Sequence, residues 1–301
     1  MDGYGGSVVL VEPFGVGGGV DVIASALSAV LSRMWAVRVT VDNRPGLGAT
    51  AAPALVAAAA PDGRTLLIDT SAHAYTAALA TGLPYDPIAD FVAVAPVTSQ
   101  PYVLVAPGRS GIRGLDELIS ASEARPVSFV SAGVGTGTHL SVVELNLELG
   151  ISATHLPARA TDAIFATIAR VAAGEADYAM SPISIAQPHL GDGTLVALGV
   201  SGAQRSQLLP DVPTLQEAGA VDFDFPIWYG IWAPSATPAP RVEELTDGIG
   251  AALDAAELRT WLGEHGAEPM RMTQREFADF VIRERDRAHA IAHAAGIPTT
   301  R

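Results

Sequence analysis

The chain has no cysteine among its 301 residues, and this absence removes three kinds of chemistry together. Structural disulfides, thiolate catalysis and zinc sites with cysteine ligands all need a thiol. A chain without disulfides is compatible with an oxidising compartment. Aromatic residues are also scarce, at 6% against 49% hydrophobic residues, so we expect a globular core built mainly from alanine, valine, leucine and isoleucine.

Basic clusters and long apolar runs are missing as well. The net charge is −14, from 32 acidic and 18 basic residues, so we expect no binding to nucleic acid and none to an anionic membrane surface. No apolar run reaches the roughly 18 residues that a membrane-spanning helix needs. The first residues do not read as a signal peptide. We expect either a cytoplasmic protein or one whose signal has been removed, and the short polar lead-in favours the second.

Strand-like and helix-like segments alternate along the chain. A strand at 7–12 precedes a helix from Val20 to about Met34, and further strands are predicted at 37–42 and 65–71. After a strand at 101–107, a second alternation of the same style begins. This rhythm predicts an α/β protein with two lobes, each a mostly parallel sheet flanked by helices.

The two lobes are predicted to be joined by two extended crossings, near residues 102–106 and 225–233. Lobe 1 then comprises residues 1–103 and 226–301, and lobe 2 comprises residues 104–225. In such folds a small ligand binds in the cleft between the lobes, at the carboxyl ends of the strands.

A glycine-rich corner, PFGVGGGVD, connects the first strand to the first helix. Gly17, Gly18 and Gly19 allow a ligand to approach the backbone, and free N–H groups at the helix start favour an anion. Asp21 is placed to cap that helix. A tight turn without a ligand is an equally good interpretation of this corner taken alone. The spacing does not match the dinucleotide motif G-x-G-x-x-G, because Val20 occupies the last position.

A second corner of the same form occurs in FVSAGVGTGTHLSVV. Its backbone N–H groups and hydroxyls are candidate donors to a carboxylate, while His139 is more readily interpreted as a structural histidine. A third corner ends at Ser71. Two glycine corners, one in each lobe, predict that both lobes contact a small anion. The candidate residues of the second corner are Ser131, Ala132, Gly133, Thr136, Gly137, Thr138 and His139.

Catalytic motifs are not found. The nucleophile elbow G-x-S-x-G is absent, and no lysine follows a glycine run as in a P-loop. His289 and His293 are four residues apart but are better explained as a solvated helix face than as a zinc site. Trp228 and Tyr229, in the aromatic segment PIWYGIWAP, either wall the cleft or pack at the hinge. We therefore expect a protein that is not an enzyme and that needs no cofactor or metal.

Several segments together, over nearly the whole chain, resemble the substrate-binding proteins of tripartite tricarboxylate transporters, the Bug family. The resemblance implies a type II periplasmic-binding-protein fold, a periplasmic location, a small carboxylate ligand and the membrane components of a transporter as partners. These segments are PFGVGGGVDVIA, VTVDNRPGLGAT, AAPDGRTLLIDTSAH, LPYDPIADFVAVAPV, VSFVSAGVGTGTHLSVVEL, LLPDVPTLQEAG and WYGIWAPSATPAP.

The resemblance also implies which residues hold the ligand carboxylate, with Asp21 fixing the first loop. The chain departs from the family pattern in three places: Gly15-Val16 stands where two prolines are common, Ala158 replaces an aromatic residue, and Ser181 replaces an acid. Arg159 aligns with a basic position of the family. Arg159 is either a partner for a second carboxylate or a surface residue. The implied ligand residues are Phe14, Gly17, Gly18, Gly19, Ser71, Ser131, Gly133, Thr136, Gly137 and His139.

The sequence thus predicts a solute receptor whose lobes close around a small mono-, di- or tricarboxylate. Two other functions stay open at this point. One is an α/β enzyme acting on a carboxylate or a CoA-type substrate, and the other is a ligand-sensing subunit of a signalling system.

Overall fold

Ten helices and eleven strands follow one another in a computed structural model that describes residues 6–46, 49–156 and 164–299. The strands are β1 (Val8–Glu12), β2 (Val39–Asn43), β3 (Thr65–Thr70), β4 (Phe91–Gln100), β5 (Tyr102–Pro107), β6 (Val127–Val130), β7 (Ala153–Leu156), β8 (Ala179–Pro182), β9 (Leu195–Val200), β10 (Ile227–Pro234) and β11 (Glu268–Pro269). The helices are α1 (Gly19–Trp35), α2 (Ala51–Ala57), α3 (Ala72–Leu79), α4 (Leu115–Ala124), α5 (Gly137–Leu149), α6 (Ile164–Ala172), α7 (Ile183–Gly191), α8 (Ala239–Asp254), α9 (Ala256–Glu264) and α10 (Gln274–Ala294).

The strands form separate sheets in the two halves of the fold. A six-stranded sheet has the order β11-β4-β10-β3-β1-β2, a three-stranded sheet has the order β8-β5-β9, and β6 pairs with β7. An isolated bridge between Phe129 and Tyr178 links the β6–β7 pair to the segment that leads into β8. The α/β architecture predicted from the alternation is therefore present.

The sheets are mixed, and the expectation of mostly parallel sheets is wrong in this respect. Strands β2, β1 and β3 run parallel, whereas β10, β4 and β11 join them by antiparallel pairing. Strand β5 is antiparallel to both its neighbours. Strand β5 follows β4 directly and β10 returns to the first sheet after β9, so neither of these two strands follows a crossover helix.

Strand β4 was missing from the sequence prediction because Pro96 interrupts it, and proline is normally excluded from central strands. In the fold Pro96 lies opposite Gly230, where the pairing of β4 with β10 shifts register. Gly230 is needed there, since a Cβ would lie 2.3 to 2.9 Å from atoms of Phe277 and Trp232 in a space that is already filled. The irregularity thus accommodates a proline inside the sheet.

Both faces of the six-stranded sheet are covered by helices. Side chains of α1, α8 and α9 pack on one face, around Leu10 and Ile231. Those of α2, α3 and α10 pack on the other, around Leu67 and Trp232. Helix α10 begins with a capping box between Thr273 and Glu276. None of the helices in the described part of the chain combines the length and the apolar character that a bilayer span requires.

Candidate ligand-binding site

The loop between β1 and α1 is held in place by a hydrogen-bond network behind it. Gly17 has a φ of +81°, which side chains rarely adopt, and its N–H donates to Asp21 Oδ2 at 2.8 Å. Asn43 donates its amide to Asp21 Oδ1 at 2.9 Å and also to the Glu12 carboxylate. Glu12 accepts from the Phe14 N–H at 2.6 Å, and burial raises the pKa of its carboxyl group. The loop is therefore ordered by hydrogen bonds to the side chains of Glu12 and Asp21.

Asp21 does not cap helix α1, contrary to the expectation from its position. The N-cap is Gly18, which makes no side-chain capping bond, and Asp21 is the third residue of the helix. Its carboxylate reaches back to the loop instead, as the family resemblance implies. The first N–H groups of α1 have no partner within the helix and carry the positive end of its dipole, which makes this corner a suitable place for an anion.

The second corner joins β6 to α5, and its hydroxyls are already engaged. Thr136 Oγ1 donates to the Gly133 carbonyl oxygen at 2.7 Å, and Thr138 Oγ1 accepts from the Ala132 N–H at 3.0 Å. Ser131 Oγ lies 2.9 Å from His155 Nε2. These hydroxyls shape the loop, and their donation to a ligand carboxylate stays a prediction. Thr136, the N-cap of α5, makes no side-chain capping bond, so the helix N–H groups are the available donors.

Two histidines, His139 and His155, contact this corner. His139 is 4% exposed and accepts the Gly135 N–H through Nδ1 at 3.3 Å. Its ring centroid lies 4.4 Å from that of His155, and the His155 ring stacks on Phe129. Burial, followed by the proximity of His155, lowers the pKa of His139 to about 4. His139 is therefore neutral at physiological pH and has the contacts of a structural histidine.

Tyrosine side chains lie against the start of each of the two helices. The Tyr229 hydroxyl is 2.9 Å from the position that a Cβ would take on Gly19. The Tyr102 hydroxyl crowds the corresponding position on Gly137, and an edge atom of the Tyr75 ring is 3.6 Å from that position. Leu79, on the same helix as Tyr75, reaches within 3.2 Å of the Cβ position on Gly135. Each glycine corner therefore has a tyrosine hydroxyl beside the first residue of its helix.

The remaining predicted residues are distributed differently. Ser71 precedes α3, is 2% exposed, and donates its N–H to the Trp228 carbonyl oxygen at 2.8 Å. Ser181 is fully buried, and its hydroxyl donates to the Pro182 carbonyl oxygen at 3.0 Å. Trp228 is a core residue and not part of a cleft wall, since its indole N–H donates to Glu284 of α10 at 3.0 Å. Ala158 and Arg159 lie outside the described residues.

Sequence reasoning did not find Glu12, Asn43, Tyr102 or His155. A signal for Asn43 was present, because it ends β2 and the carboxyl ends of parallel strands meet at one edge of a sheet. The Tyr102 contact could not be read from local patterns, since it depends on the antiparallel placement of β5. Among residues 6–46, 49–156 and 164–299, no group of three acidic or histidine side chains could hold a metal ion.

Comparison with known proteins gives consistent results. Residues 23–297 match the family described as the tripartite tricarboxylate transporter family receptor. A solved structure of Rpa4515 of R. palustris with adipate is 28% identical, covers 99% of both chains and has a TM-score of 0.86. MatC of Rhodopseudomonas palustris with bound malate is 32% identical, with 95% of this chain and 98% of MatC covered and a TM-score of 0.79. The periplasmic binding protein BugD is 25% identical, with coverage of 97% and 98% and a TM-score of 0.81.

Proposed function

Since the chain belongs to the tripartite tricarboxylate transporter receptor family, we propose that it is a solute receptor that binds a small dicarboxylate in the cleft. The observation that carries this proposal is the pair of helix N-termini at Gly19 and Gly137, which lack side-chain caps and each lie beside a tyrosine hydroxyl. Backbone N–H groups from two helices are a suitable anchor for a carboxylate. Adipate and malate, bound by two structural neighbours, are both dicarboxylates.

The proposed receptor has the two lobes predicted from the sequence, with residues 1–103 and 226–301 in one and residues 104–225 in the other. In support, the six-stranded sheet draws its strands only from residues 8–100 and 227–269, and the other described strands lie between them. Crossings near 102–106 and 225–233 act as the hinge. Binding closes the lobes because the ligand contacts both corners only in the closed state.

The receptor acts in the periplasm and delivers its ligand to the membrane components of a tripartite transporter. Its family and the description of BugD as a periplasmic binding protein support this location. The carboxylate anchor comprises the corners at Gly17–Gly19 and at 131–137 with Ser71 beside them, and Arg159 is proposed to meet the far end of the ligand. The chain binds its ligand without converting it.

A thermal-shift screen with mono-, di- and tricarboxylates tests the proposal. A ligand present at about 100 times its dissociation constant is expected to add roughly 2.7 kcal/mol to the free energy of unfolding. Dicarboxylates of four to six carbons should give the largest rise in melting temperature. No rise with any carboxylate would contradict the proposal, and mass-spectrometric detection of a converted ligand would favour an enzyme.

A glycine substitution with a matched control locates the site. Gly18→Val places a side chain at the corner, where its Cβ would lie 3.0 Å from the Gly15 carbonyl oxygen, and is expected to abolish the ligand-dependent shift. Gly250→Val, in α8 with no atom within 4 Å of the Cβ position, should keep it. Undiminished binding by the folded Gly18 variant would remove this corner from the site.

A further inference from the structure

Two tyrosines on the strands that cross between the sheets face the starts of α1 and α5 in the same way. Tyr229 on β10 approaches Gly19, and Tyr102 on β5 approaches Gly137, each the first residue of its helix. A Cβ on Gly19 would lie 2.9 Å from the Tyr229 hydroxyl, and one on Gly137 would lie nearer still to that of Tyr102. Glycine at these positions therefore makes room for a phenol beside an uncapped helix N-terminus.

The Tyr102 hydroxyl has no hydrogen-bond partner among residues 6–46, 49–156 and 164–299, although the residue is only 3% exposed. Hydroxyls of largely buried residues normally find a partner. An acceptor placed between this hydroxyl and the first N–H groups of α5 would satisfy the phenol and the helix end together.

Tyr229 is similar, but its hydroxyl already has an acceptor within the protein. It is also 3% exposed, and its hydroxyl donates to Gln100 Oε1 at 3.3 Å, a long hydrogen bond. Burial raises the pKa of both phenols, and the proximity of Tyr229 raises that of Tyr102 further. Both hydroxyls therefore stay protonated and able to donate at physiological pH.

We propose that Tyr102 and Tyr229 are ligand-binding residues that together form the floor of the cleft and donate hydrogen bonds to the anchored carboxylate. One carboxylate then accepts from the N-termini of α1 and α5 and from one phenol on each crossing strand. This inference rests on the proposed function and adds a second set of neutral donors to the site. It also connects the ligand directly to the strands that join the lobes.

Conservative variants test the role of each hydroxyl, with adipate and malate as probes in isothermal titration calorimetry. Tyr102→Phe and Tyr229→Phe are each expected to weaken binding about tenfold or more, since each removes a hydrogen bond to a charged group. Neither variant should lower the melting temperature without ligand, because the Tyr102 hydroxyl has no partner among the described residues and the hydrogen bond of the Tyr229 hydroxyl is long. Tyr85→Phe, a tyrosine whose ring packs against Phe91, is the matched control and should bind normally.

A double substitution separates a direct contact from a general packing effect. Gly137→Ala is expected to displace the Tyr102 phenol and to weaken binding in the wild-type background. In the Tyr102→Phe background the same substitution should cause a smaller further loss, because the hydroxyl it displaces is already gone.

The outcomes distinguish the inference from the proposed function. If the wild type binds a carboxylate and both phenylalanine variants bind it equally well, the inference is overturned and the receptor function stands. If the wild type binds no carboxylate in the screen, the proposed function fails and the tyrosine contacts fail with it. Selective loss of affinity in folded Tyr102 and Tyr229 variants supports the inference.

Discussion

At the scale of single residues, Asp69 is a carboxyl group whose titration is strongly changed by burial. It lies on β3, is 3% exposed, and accepts the Thr70 N–H at 2.7 Å. Burial raises the pKa of its carboxyl group to about 8, and the nearby Glu12 adds to the increase. A carboxyl group protonated in the folded chain but ionised in the unfolded chain makes stability depend on pH.

The direction of that dependence gives a first prediction. The ordinary pKa of about 4 applies to the unfolded chain, so the free energy of unfolding is expected to fall as the pH rises from about 4 to about 8. Asp69→Asn removes the titration and should raise stability at pH 7.5 by on the order of a few kcal/mol. Urea unfolding at several pH values measures this. Exposed Asp247→Asn is the control, and parallel pH profiles for wild type and Asp69→Asn would contradict the prediction.

At the scale of elements, the β1–α1 connection is a glycine-rich loop that is held in place by hydrogen bonds to neighbouring side chains. Glu12, Asn43 and Asp21 hold the loop from behind, so its N–H groups are arranged before a ligand arrives. Arranging donors in advance lowers the conformational entropy that binding must overcome.

Removing one of these supports should therefore affect binding more than stability. Asp21→Ala frees the Gly17 N–H and the Asn43 amide, and we expect affinity for the carboxylate to fall about tenfold while the melting temperature changes little. Asp116→Ala, which removes an acid from the first turn of α4, controls for the loss of a favourable helix-dipole contact. An increase in affinity for Asp21→Ala would show that charge repulsion outweighs loop order.

The glycine corners and most strands followed from sequence patterns, because strand, turn and helix signals there are local and agree with one another. Strand β4 did not, since Pro96 is tolerated only through a register shift opposite Gly230. The approach of Tyr102 to Gly137 depends on the antiparallel order of β5 among its neighbours, and no local pattern encodes that order. Trp228 and Tyr229 are adjacent, yet strand alternation sends one towards Glu284 of α10 and the other towards Gly19.

At the scale of the whole molecule, an ion-pair network joins the two sheets through their helices. Arg287 of α10 donates to both carboxylate oxygens of Glu144 of α5, at 2.9 and 2.7 Å. It also donates to the Asp224 carbonyl oxygen at 2.8 Å and lies 4.7 Å from the Phe225 ring centroid. These contacts join α10, α5 and the return crossing, so they favour one arrangement of the two halves.

Breaking this network is expected to loosen the arrangement. Arg287→Met leaves the half-buried Glu144 without its partner and should lower the free energy of unfolding by about 1–3 kcal/mol. Small-angle X-ray scattering of the ligand-free protein should show a larger radius of gyration. Arg285→Met, whose arginine pairs with the adjacent Asp286, should change neither quantity. An unchanged radius of gyration for Arg287→Met would show that the network does not restrain opening.

The proposed anchor of backbone N–H groups has a consequence for how such a receptor can diverge. A substitution changes a side chain but leaves the peptide groups at Gly19 and Gly137 able to donate. Mutations elsewhere around the cleft can therefore alter which cargo fits, one step at a time, while recognition of the shared acidic group persists through every intermediate sequence. In the proposed site, backbone groups recognise the carboxylate, whereas side chains that can be substituted select the rest of the ligand.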